Sequence, residues 1–453
     1  MSALKCFANF IATATPPAAA RQRAAAAFID TVGVTLAGAV EPPAKVVQRV
    51  LSTGGTGPSQ IFGTAIRTSP AAACLANGTA AHALDYDDMC FVTLAHPSAP
   101  LVPAALAIAE LRGTSGRAVL DAYIVGFEIE ARLGRRMQPR HYQRGWHPTS
   151  TLGTLGAAAA ASRLLALDPG VTAHALAIAA SEASGLKENF GTMVKPLHAG
   201  LAAHNGVMAA QLAEGGLTGS DLALDGPQGF LAAMDGTHAD LGDEVADLGR
   251  RWEIVDTGIT VKLYPSCAGT HPALDALLLL RRRERYVAGD VEAIDIDVDS
   301  ITPTILIHDR PATGLEGKFS MPFCAAAAVV HGRVGIDTFE PRALNDPDVR
   351  SLMPRVTMRV DQSFDGAAPP LTQSRVTIRL RDGRTLTQVA KGARGYPDQP
   401  ASADELAAKF LSCASRVLTQ PAAERALTLL RKIEQIDDMR DLTISLASDR
   451  TSR

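Results

Sequence analysis

Apolar positions follow a helical period over the first part of the chain. In the segment VLDAYIVGFEIEARLGRRM, the residues Leu120, Tyr123, Ile124, Phe127 and Ala131 fall on one helical face. Alanine runs such as GAAAAAS add high helix propensity and small side chains that let helices approach closely. Residues 1 to about 262 are therefore predicted to form tightly packed helices.

The period changes after about residue 288. VEAIDIDVDS, RVTMRVDQS and SRVTIRLRDGRTLTQVA alternate apolar and polar residues, as strands do, and Asp382-Gly383 lies between two such runs as a hairpin turn. Helical segments lie between the strands. After them ASADELAAKFLSCASRVL returns to helix, with Ser402 and Glu405 spaced as a capping box.

These patterns predict a mainly α protein, with a large all-helical domain and a smaller α+β domain. We expect the helical domain to comprise residues 1–266 and 396–453, and the α+β domain to comprise 267–395. A chain of 453 residues, 47% of them hydrophobic, is long enough for two such domains.

Charge and cysteine content exclude several classes of function. The net charge is −3 with both signs dispersed, so the basic stripe of a nucleic-acid-binding protein is missing. The six cysteines form no C-x-x-C pair, which argues against a disulfide framework, a zinc site or an iron–sulfur cluster. The N-terminus lacks a targeting pattern and no uninterrupted apolar run reaches membrane-spanning length. We expect a cytoplasmic protein that binds neither nucleic acid nor membrane.

The strongest candidate for chemistry is HALDYDDMCFVTLAHPS. It places Asp85, Asp87 and Asp88 between His82 and His96, within small apolar surroundings. Carboxylates and imidazoles in a stretch that otherwise favours a core are typical of proton-transfer sites. The ordinary alternative is that the carboxylates cap the following helix.

Four further segments place polar, titratable residues at Gly- or Pro-bent positions between helices. Each has an ordinary structural explanation, as a turn histidine, a solvated lysine or a helix cap, and their joint pattern is what favours a site. The segments are GWHPTSTLG with His147, Thr149 and Ser150; KENFGTMVKPLHAG with Lys195 and His198; VKLYPSCAGTH with Lys262, Tyr264, Ser266 and His271; and EGKFSMPFCAAAA with Lys318 and Ser320.

The chemistry that suits these residue types is removal of a proton next to a carboxylate. Histidine suits the base, lysine stabilises the developing negative charge, and aspartate orients the histidine. Lys195 and Lys262 would bind a small acidic substrate. An alternative is a metal site formed by Asp85, Asp87, Asp88 and His96, but the side chains of adjacent Asp87 and Asp88 should point in different directions.

Several of these segments together resemble the MmgE/PrpD family, which includes 2-methylcitrate dehydratase, cis-aconitate decarboxylase and iminodisuccinate epimerase. The matching segments are DTVGVTLAG, NGTAAHALDYDD, HPSAPLVPAALAIAE, GWHPTSTLGTLGAAAAAS, ALAIAASEASGLKENFGTMVKPLHAGLAAHNG, VKLYPSCAGTH and GKFSMPFCAAAAVVHG. The resemblance implies a helical domain built from both chain ends, an inserted α+β domain, a homodimer, an active site between domains, and no metal or organic cofactor.

The resemblance also implies which residues are functional. The family motifs place catalytic positions on Asp85, His96, His147, Lys195 and Lys262. Further side chains expected to contact substrate are Met89, Thr149, Ser150, His198, Tyr264, Ser266, Lys318 and Phe323.

Two positions depart from the decarboxylase pattern. Met89 follows the D-Y-D-D motif where a threonine is expected, and Phe323 stands where the decarboxylase has a tyrosine. Loss of two hydroxyl donors changes what the pocket can bind, which argues against cis-aconitate decarboxylase. The predicted function is therefore a cofactor-independent hydro-lyase of the 2-methylcitrate dehydratase type, acting on a small di- or tricarboxylate. An epimerase of the iminodisuccinate type and a catalytically silent carboxylate-binding protein are the alternatives.

Overall fold

The computed structural model describes residues 2–235, 240–366 and 372–448. The chain divides into two compact units, the first formed by Met1–Ile259 with Ser402–Arg453 and the second by Thr260–Ala401. The sequence placed these divisions at 266/267 and 395/396. The predicted fold class, mainly α with a smaller α+β part, is confirmed.

The N-terminal part of the first unit is helical apart from one short strand pair. Its helices within the described residues are α1 (Ala3–Thr13), α2 (Ala18–Gly38), α3 (Pro42–Leu51), α4 (Pro70–His82), α5 (Ser98–Arg112), α6 (Gly116–Met137), α7 (Arg140–Gln143), α8 (Pro148–Leu164), α9 (Pro169–Glu182), α10 (Val194–Glu214), α11 (Phe230–Asp235), α12 (Gly242–Ala246) and α13 (Glu253–Asp256). The antiparallel strands β1 (Ser59–Gln60) and β2 (Arg67–Thr68) were not predicted from the sequence, because two residues are too few to show alternation.

Small residues set how closely these helices cross. α10 packs against α4, α5, α8 and α9. Where α10 crosses α4, a Cβ added to Gly78 would lie only 2.8 Å from the Cα of Gly200. The two backbones can approach this closely only because both positions are glycine. Their antiparallel crossing brings the last residue of α4, His82, to the end of α10 that carries Lys195.

The second unit is built around a four-stranded sheet. Its elements are α14 (His271–Arg283), β3 (Val291–Val298), α15 (Thr302–Ile305), α16 (Gly314–Gly317), α17 (Met321–His331), α18 (Pro341–Leu344), α19 (Pro347–Leu352), β4 (Val356–Val360), β5 (Ser374–Leu380) and β6 (Thr385–Ala390). The strand order is β4-β3-β5-β6, with β3 and β4 parallel and the other pairs antiparallel. Gly383, in the turn between β5 and β6, has φ of +89°, which favours glycine.

The core of the second unit lies between the sheet and the helices α14 and α17. Ile294, Ile296, Val376 and Ile378 alternate along β3 and β5 and are fully buried in this core. Their spacing is the period-two pattern read from the sequence, since side chains two residues apart share one face of a sheet.

The chain then returns to the first unit with α20 (Ala403–Ala414), α21 (Gln420–Arg431) and α22 (Arg440–Ile444). α20 packs against α2, and its start is the predicted capping box: the Ser402 hydroxyl accepts from the Glu405 N–H, and the Glu405 carboxylate accepts from the Ser402 N–H. Within the described residues no single helix is long and apolar enough to cross a membrane, although the bent pair α2 and α3 meets the criteria of length and composition.

Candidate active site

The segment between α4 and α5 carries the three aspartates in distinct environments. Asp85 has φ of +52°, a left-handed conformation that aspartate and asparagine tolerate better than most residues. Asp88 accepts the backbone N–H of Ser98 at 3.2 Å and also the Ser98 hydroxyl, which lies 2.6 Å from the Tyr123 hydroxyl. The capping alternative therefore holds for Asp88, which fixes the segment to the start of α5.

The ends of four helices lie close to His82, His147 and Lys195. α4 ends at His82, whereas α5, α8 and α10 begin here, with His147 as the N-cap residue of α8 and Lys195 in the first turn of α10. The N-terminus of a helix carries partial positive charge and unsatisfied N–H groups. This end of the first unit is therefore suited electrostatically to an anion.

Lys195 lies at the centre of the group. Its Nζ is 2.7 Å from Oδ1 of Asp85 and 2.9 Å from Nε2 of His82, and it lies 5.5 Å from the centroid of the Phe190 ring. Only 5% of Lys195 is exposed. Burial of an ammonium is costly unless it is paired, and here a carboxylate and an imidazole both stabilise it.

His96 approaches the same Asp87 oxygen as His82, and the two imidazole rings lie 4.5 Å apart. Its Nδ1 is 3.2 Å from Oδ2 of Asp87, and its Nε2 is 4.0 Å from Oδ1 of Asp85. The hydroxyl of Thr149 accepts the backbone N–H of His96 at 3.0 Å, so this predicted substrate contact holds the histidine backbone. The His96 side chain remains 12% exposed, which makes it the most accessible imidazole of the group formed by His82, His96, His147 and His198.

His147 and His198 form a second imidazole pair. Their Nδ1 atoms lie 3.0 Å apart, so one ring donates and the other accepts. The Ser150 hydroxyl donates to the carbonyl of His198 at 3.3 Å. The ring of His147 lies 4.8 Å from that of Phe190 and 5.7 Å from that of His82, which places the pair beside Lys195.

Burial keeps His82, His147 and His198 neutral. Burial lowers the pKa of His82 to about 3, with Lys195 and His96 acting in the same direction against Asp87. Burial and then Lys195 lower the pKa of His198 to about 4, and hold the pKa of His147 well below its usual range. A neutral imidazole can accept a proton, which is the state a general base requires.

Asp87 behaves differently from Asp88 although the two are adjacent. Burial raises the pKa of both carboxyl groups, but for Asp87 this is outweighed by His82 and His96, which hold its pKa well below the usual range. Burial, followed by the nearby Asp30, raises the pKa of Asp88 to about 8. Asp87 is therefore the ionised partner of two imidazoles, and Asp88 is a protonated structural group at neutral pH.

The cluster contains a geometry that a metal ion could use. One ligand atom from each of His82, Asp85, Asp87 and His96 lies within 4.8 Å of the others. The Lys195 ammonium, however, is hydrogen-bonded to both Asp85 and His82. A divalent cation bound by this set would face a fixed positive charge, and Asp88, part of the metal alternative from the sequence, is bonded to Ser98 instead. The donor set suits an ammonium better than a metal.

The other predicted residues lie in the second unit or at the edge of the cluster. Lys262 is 1% exposed. Tyr264 donates to Asp275 at 2.5 Å, and Lys318 donates to the carbonyl of Pro265 at 2.9 Å. Ser266 and Thr270 share a hydroxyl hydrogen bond of 2.8 Å.

Phe323 and Met89, the two departures from the decarboxylase pattern, are placed differently. Phe323 is fully buried in the core of the second unit, with its ring 5.7 Å from that of Phe339. Met89 is half-buried in the segment between Asp88 and His96. The structure thus brings Asp85, His96, His147 and Lys195 together in the first unit, and the assignment of Lys262 and its neighbours to the same site stays a prediction.

Three residues that lie in the cluster had no assigned role in the proton-transfer site predicted from the sequence. His82 and Asp87 contact each other at 2.7 Å, and Phe190 lies between Lys195 and His147. The first two had a visible signal, since both belong to the HALDYDD segment. No local pattern indicated Phe190, because its place beside Lys195 and His147 depends on how the chain turns before α10.

Comparisons with known proteins agree with this architecture. The model of the MmgE/PrpD N-terminal domain matches residues 3–240, and that of the MmgE/PrpD C-terminal domain matches residues 264–435. The chain is 30% identical to a cis-aconitate decarboxylase-like protein, oryM, of Aspergillus oryzae, over 96% of this chain and 94% of the relative. It is 30% identical to cis-aconitate decarboxylase of Mus musculus, over 92% and 87% of the two chains, and 26% identical to that of Aspergillus terreus, over 96% and 93%.

Proposed function

The chain belongs to the MmgE/PrpD family, and we propose that it is a hydro-lyase acting on a small di- or tricarboxylate. The relatives support a lyase of this family that acts on a small carboxylate. The reaction that we propose is a dehydration of the 2-methylcitrate dehydratase type, which begins with removal of a proton alpha to a carboxylate.

One observation carries the proposal: a buried ammonium lies beside a partly exposed imidazole. Lys195 is bonded to Asp85 and His82, and Nε2 of His96 lies 4.0 Å from the same Asp85 oxygen. An ammonium offers only N–H donors and a positive charge, the chemistry that binds a substrate carboxylate. The acidity of the neighbouring C–H bond rises when the charge that develops on that carboxylate is stabilised.

The residues can then divide the reaction between them. His96 accepts the alpha proton on Nε2 as the C–H bond breaks, and Lys195 stabilises the enolate-like charge. The electron pair on the alpha carbon then forms a C=C bond as the C–O bond at the beta carbon breaks. The His96 imidazolium returns its proton to the departing hydroxyl, which leaves as water. Asp85 holds Lys195 and lies close to His96, so it affects both the anion site and the base.

His96 is the preferred base because of its exposure and its partners. Its side chain is 12% exposed and its Nδ1 lies against a carboxylate, which increases the basicity of Nε2. His147 is more buried, and its Nδ1 faces another imidazole. In an epimerase, which needs a second acid or base on the opposite face of the substrate, the His147–His198 pair would supply it.

Decarboxylation is the second candidate, because the relatives named above are cis-aconitate decarboxylases or like them. In that reaction a C–C bond breaks, carbon dioxide leaves, and an imidazolium gives a proton to the resulting carbanion. The same lysine would stabilise the negative charge. Met89, which stands in the candidate segment where the decarboxylase pattern has a threonine, is the observation against it.

A substrate panel in deuterium oxide separates these reactions. The protein is incubated with 2-methylcitrate, citrate, cis-aconitate and iminodisuccinate, and products are followed by NMR. Dehydration of 2-methylcitrate or citrate, with exchange at the alpha carbon, supports the hydro-lyase. Carbon dioxide release from cis-aconitate establishes the decarboxylase instead, and inversion of iminodisuccinate the epimerase. Thermal stabilisation by these compounds without exchange or conversion overturns the enzymatic proposal in favour of carboxylate binding.

A further inference from the structure

His82 is buried between two charged groups that constrain its proton. Its Nδ1 lies 2.7 Å from Oδ2 of Asp87, its Nε2 lies 2.9 Å from Nζ of Lys195, and its side chain is fully buried. It therefore has no direct access to a substrate. Its contacts nevertheless end on the lysine that the proposed function uses to bind a carboxylate.

The chemistry of the two partners fixes the tautomer of His82. An ammonium can only donate, so Nε2 must accept from Lys195 and carries no proton. An ionised carboxylate can only accept, so Nδ1 must donate to Asp87 and carries the single proton of the ring. Both requirements are met by one neutral tautomer.

Asp87 also lies close to His96. The same Oδ2 atom is 3.2 Å from Nδ1 of His96, within ion-pair distance. Asp87 therefore fixes the proton of His82 through a hydrogen bond, whereas on His96 it acts as a nearby negative charge.

We propose that His82 and Asp87 are positioning residues: Asp87 fixes the proton of His82 on Nδ1, and Nε2 of His82 holds the Lys195 ammonium against Asp85. This inference rests on the proposed function, in which Lys195 binds a substrate carboxylate. Lys195 can bind the substrate carboxylate efficiently only while Asp85 and His82 hold its ammonium in one position. Without both acceptors, the flexible four-carbon side chain would adopt several rotamers.

A pair of substitutions at position 82 separates positioning from simple packing. The amide oxygen of Gln extends about as far as Nε2, so His82→Gln can still accept from Lys195. The shorter amide of Asn reaches about as far as Nδ1, so His82→Asn can still donate to Asp87 but leaves Lys195 without this acceptor. We expect kcat/KM to fall about 10- to 100-fold further in the Asn variant than in the Gln variant, as for loss of a hydrogen bond to a charged group. His174→Asn, at a half-buried histidine bonded to Gly219, is the matched control.

Two measurements that need no turnover test the inference independently of the reaction. Nitrogen-15 NMR of histidine-labelled protein should show His82 protonated on Nδ1 and bare on Nε2. Acylation of Lys195, quantified by peptide mass spectrometry, should be faster in His82→Asn than in His82→Gln.

The outcomes distinguish the two proposals. If no compound of the panel is turned over, the proposed function fails, while the NMR and labelling results still decide the role of His82. A proton on Nε2 in the unsubstituted protein, or equal labelling and equal activity in the Asn and Gln variants with the fold retained, overturns the positioning role. The Nδ1 tautomer together with slower labelling of the Gln variant supports it.

Discussion

Two buried lysine–aspartate pairs hold the same segment of the first unit from different helices. Lys195 of α10 pairs with Asp85 at 2.7 Å, and Lys409 of α20 pairs with Asp30 at 2.6 Å. Lys409 also donates to the carbonyl of Tyr86 at 2.7 Å, one residue from Asp85, and lies 3.9 Å from the centroid of the Tyr86 ring. Both lysines are therefore buried, paired with an aspartate and in contact with a residue of the DYDD motif.

The two pairs differ in what surrounds them. Lys195 is bonded to the side chains of Asp85 and His82 and lies among imidazoles, whereas Lys409 is bonded to Asp30, a backbone carbonyl and an aromatic face. The first arrangement leaves groups that can transfer protons beside the cation. The second satisfies a cation that only anchors a loop. The partners of a buried lysine, rather than its burial, therefore distinguish the candidate active-site lysine from a structural one.

Replacement of the site lysine should give the largest effect on activity. In Lys195→Met we expect kcat/KM to fall about 100- to 1,000-fold, because the donor for the developing charge is lost. The measurement is turnover or deuterium exchange of the substrate found in the panel, with far-ultraviolet circular dichroism to verify the fold. Lys45→Met, at an exposed lysine on α3, is the control. Activity of Lys195→Met close to that of the control would remove this residue from the site.

Replacement of the anchoring lysine should act on stability first. Lys409→Met leaves Asp30 buried without its cation, and we expect the free energy of unfolding to fall by about 3 kcal/mol. Urea unfolding measures it. The double variant Asp30→Leu with Lys409→Met should recover part of that loss, since no unpaired charge remains. If Lys409→Met instead lowers activity as much as Lys195→Met while leaving stability unchanged, the distinction between the two pairs is wrong.

A change at the close crossing of α4 and α10 should lower both stability and turnover. Gly78→Ala places a Cβ 2.8 Å from the Cα of Gly200, a backbone atom that can move only with its helix. We expect a loss of about 2 kcal/mol in the free energy of unfolding, together with reduced turnover, because α10 carries Lys195. Gly55→Ala, at a loop position where an added Cβ meets no atom within 4 Å, is the control. Unchanged stability of Gly78→Ala would contradict the close crossing.

The protonated carboxyl beside the site should be visible as a pH dependence of stability. The pKa of Asp88 is raised from 3.8 to about 8 by burial and by Asp30. Between these values the folded state holds a proton on Asp88 that the unfolded state has lost, so this residue makes stability fall as pH rises from about 4 to 8. Asn does not titrate. The unfolding free energy of Asp88→Asn relative to the unsubstituted protein should therefore increase with pH, by at most about 1.4 kcal/mol per pH unit. A difference that stays constant from pH 5 to 8 would show that Asp88 is ionised in the folded state.

The fold class was accessible from the sequence because it depends on periodicity. The helical stripe from Leu120 to Ala131 and the alternation of VEAIDIDVDS both correspond to observed elements, α6 and β3. The capping box at Ser402 could also be predicted, because it depends only on two residues three positions apart. The strands β1 and β2 were missed because each has only two residues, too few to show an alternating pattern.

The candidate site was only partly accessible. The motif DYDD indicated a cluster, and Asp85, His96, His147 and Lys195 do lie together in the first unit. The separate roles of Asp87 and Asp88 could not be read from adjacent letters, because they depend on whether a histidine or a serine faces each carboxylate. Lys409 and Asp30 were not selected, because their partnership joins residues from opposite ends of the chain.

The left-handed backbone of Asp85 limits how this position can be varied. At a φ of +52°, β-branched and bulky side chains are disfavoured by steric contact with their own backbone, while Asn and Gly fit. Among the substitutions that keep the local conformation, Asn alone removes the charge and retains a polar side chain of nearly the same shape. A saturation library at this codon would consequently rank most variants by how well they fold, and only the Asn member would report on the carboxylate itself.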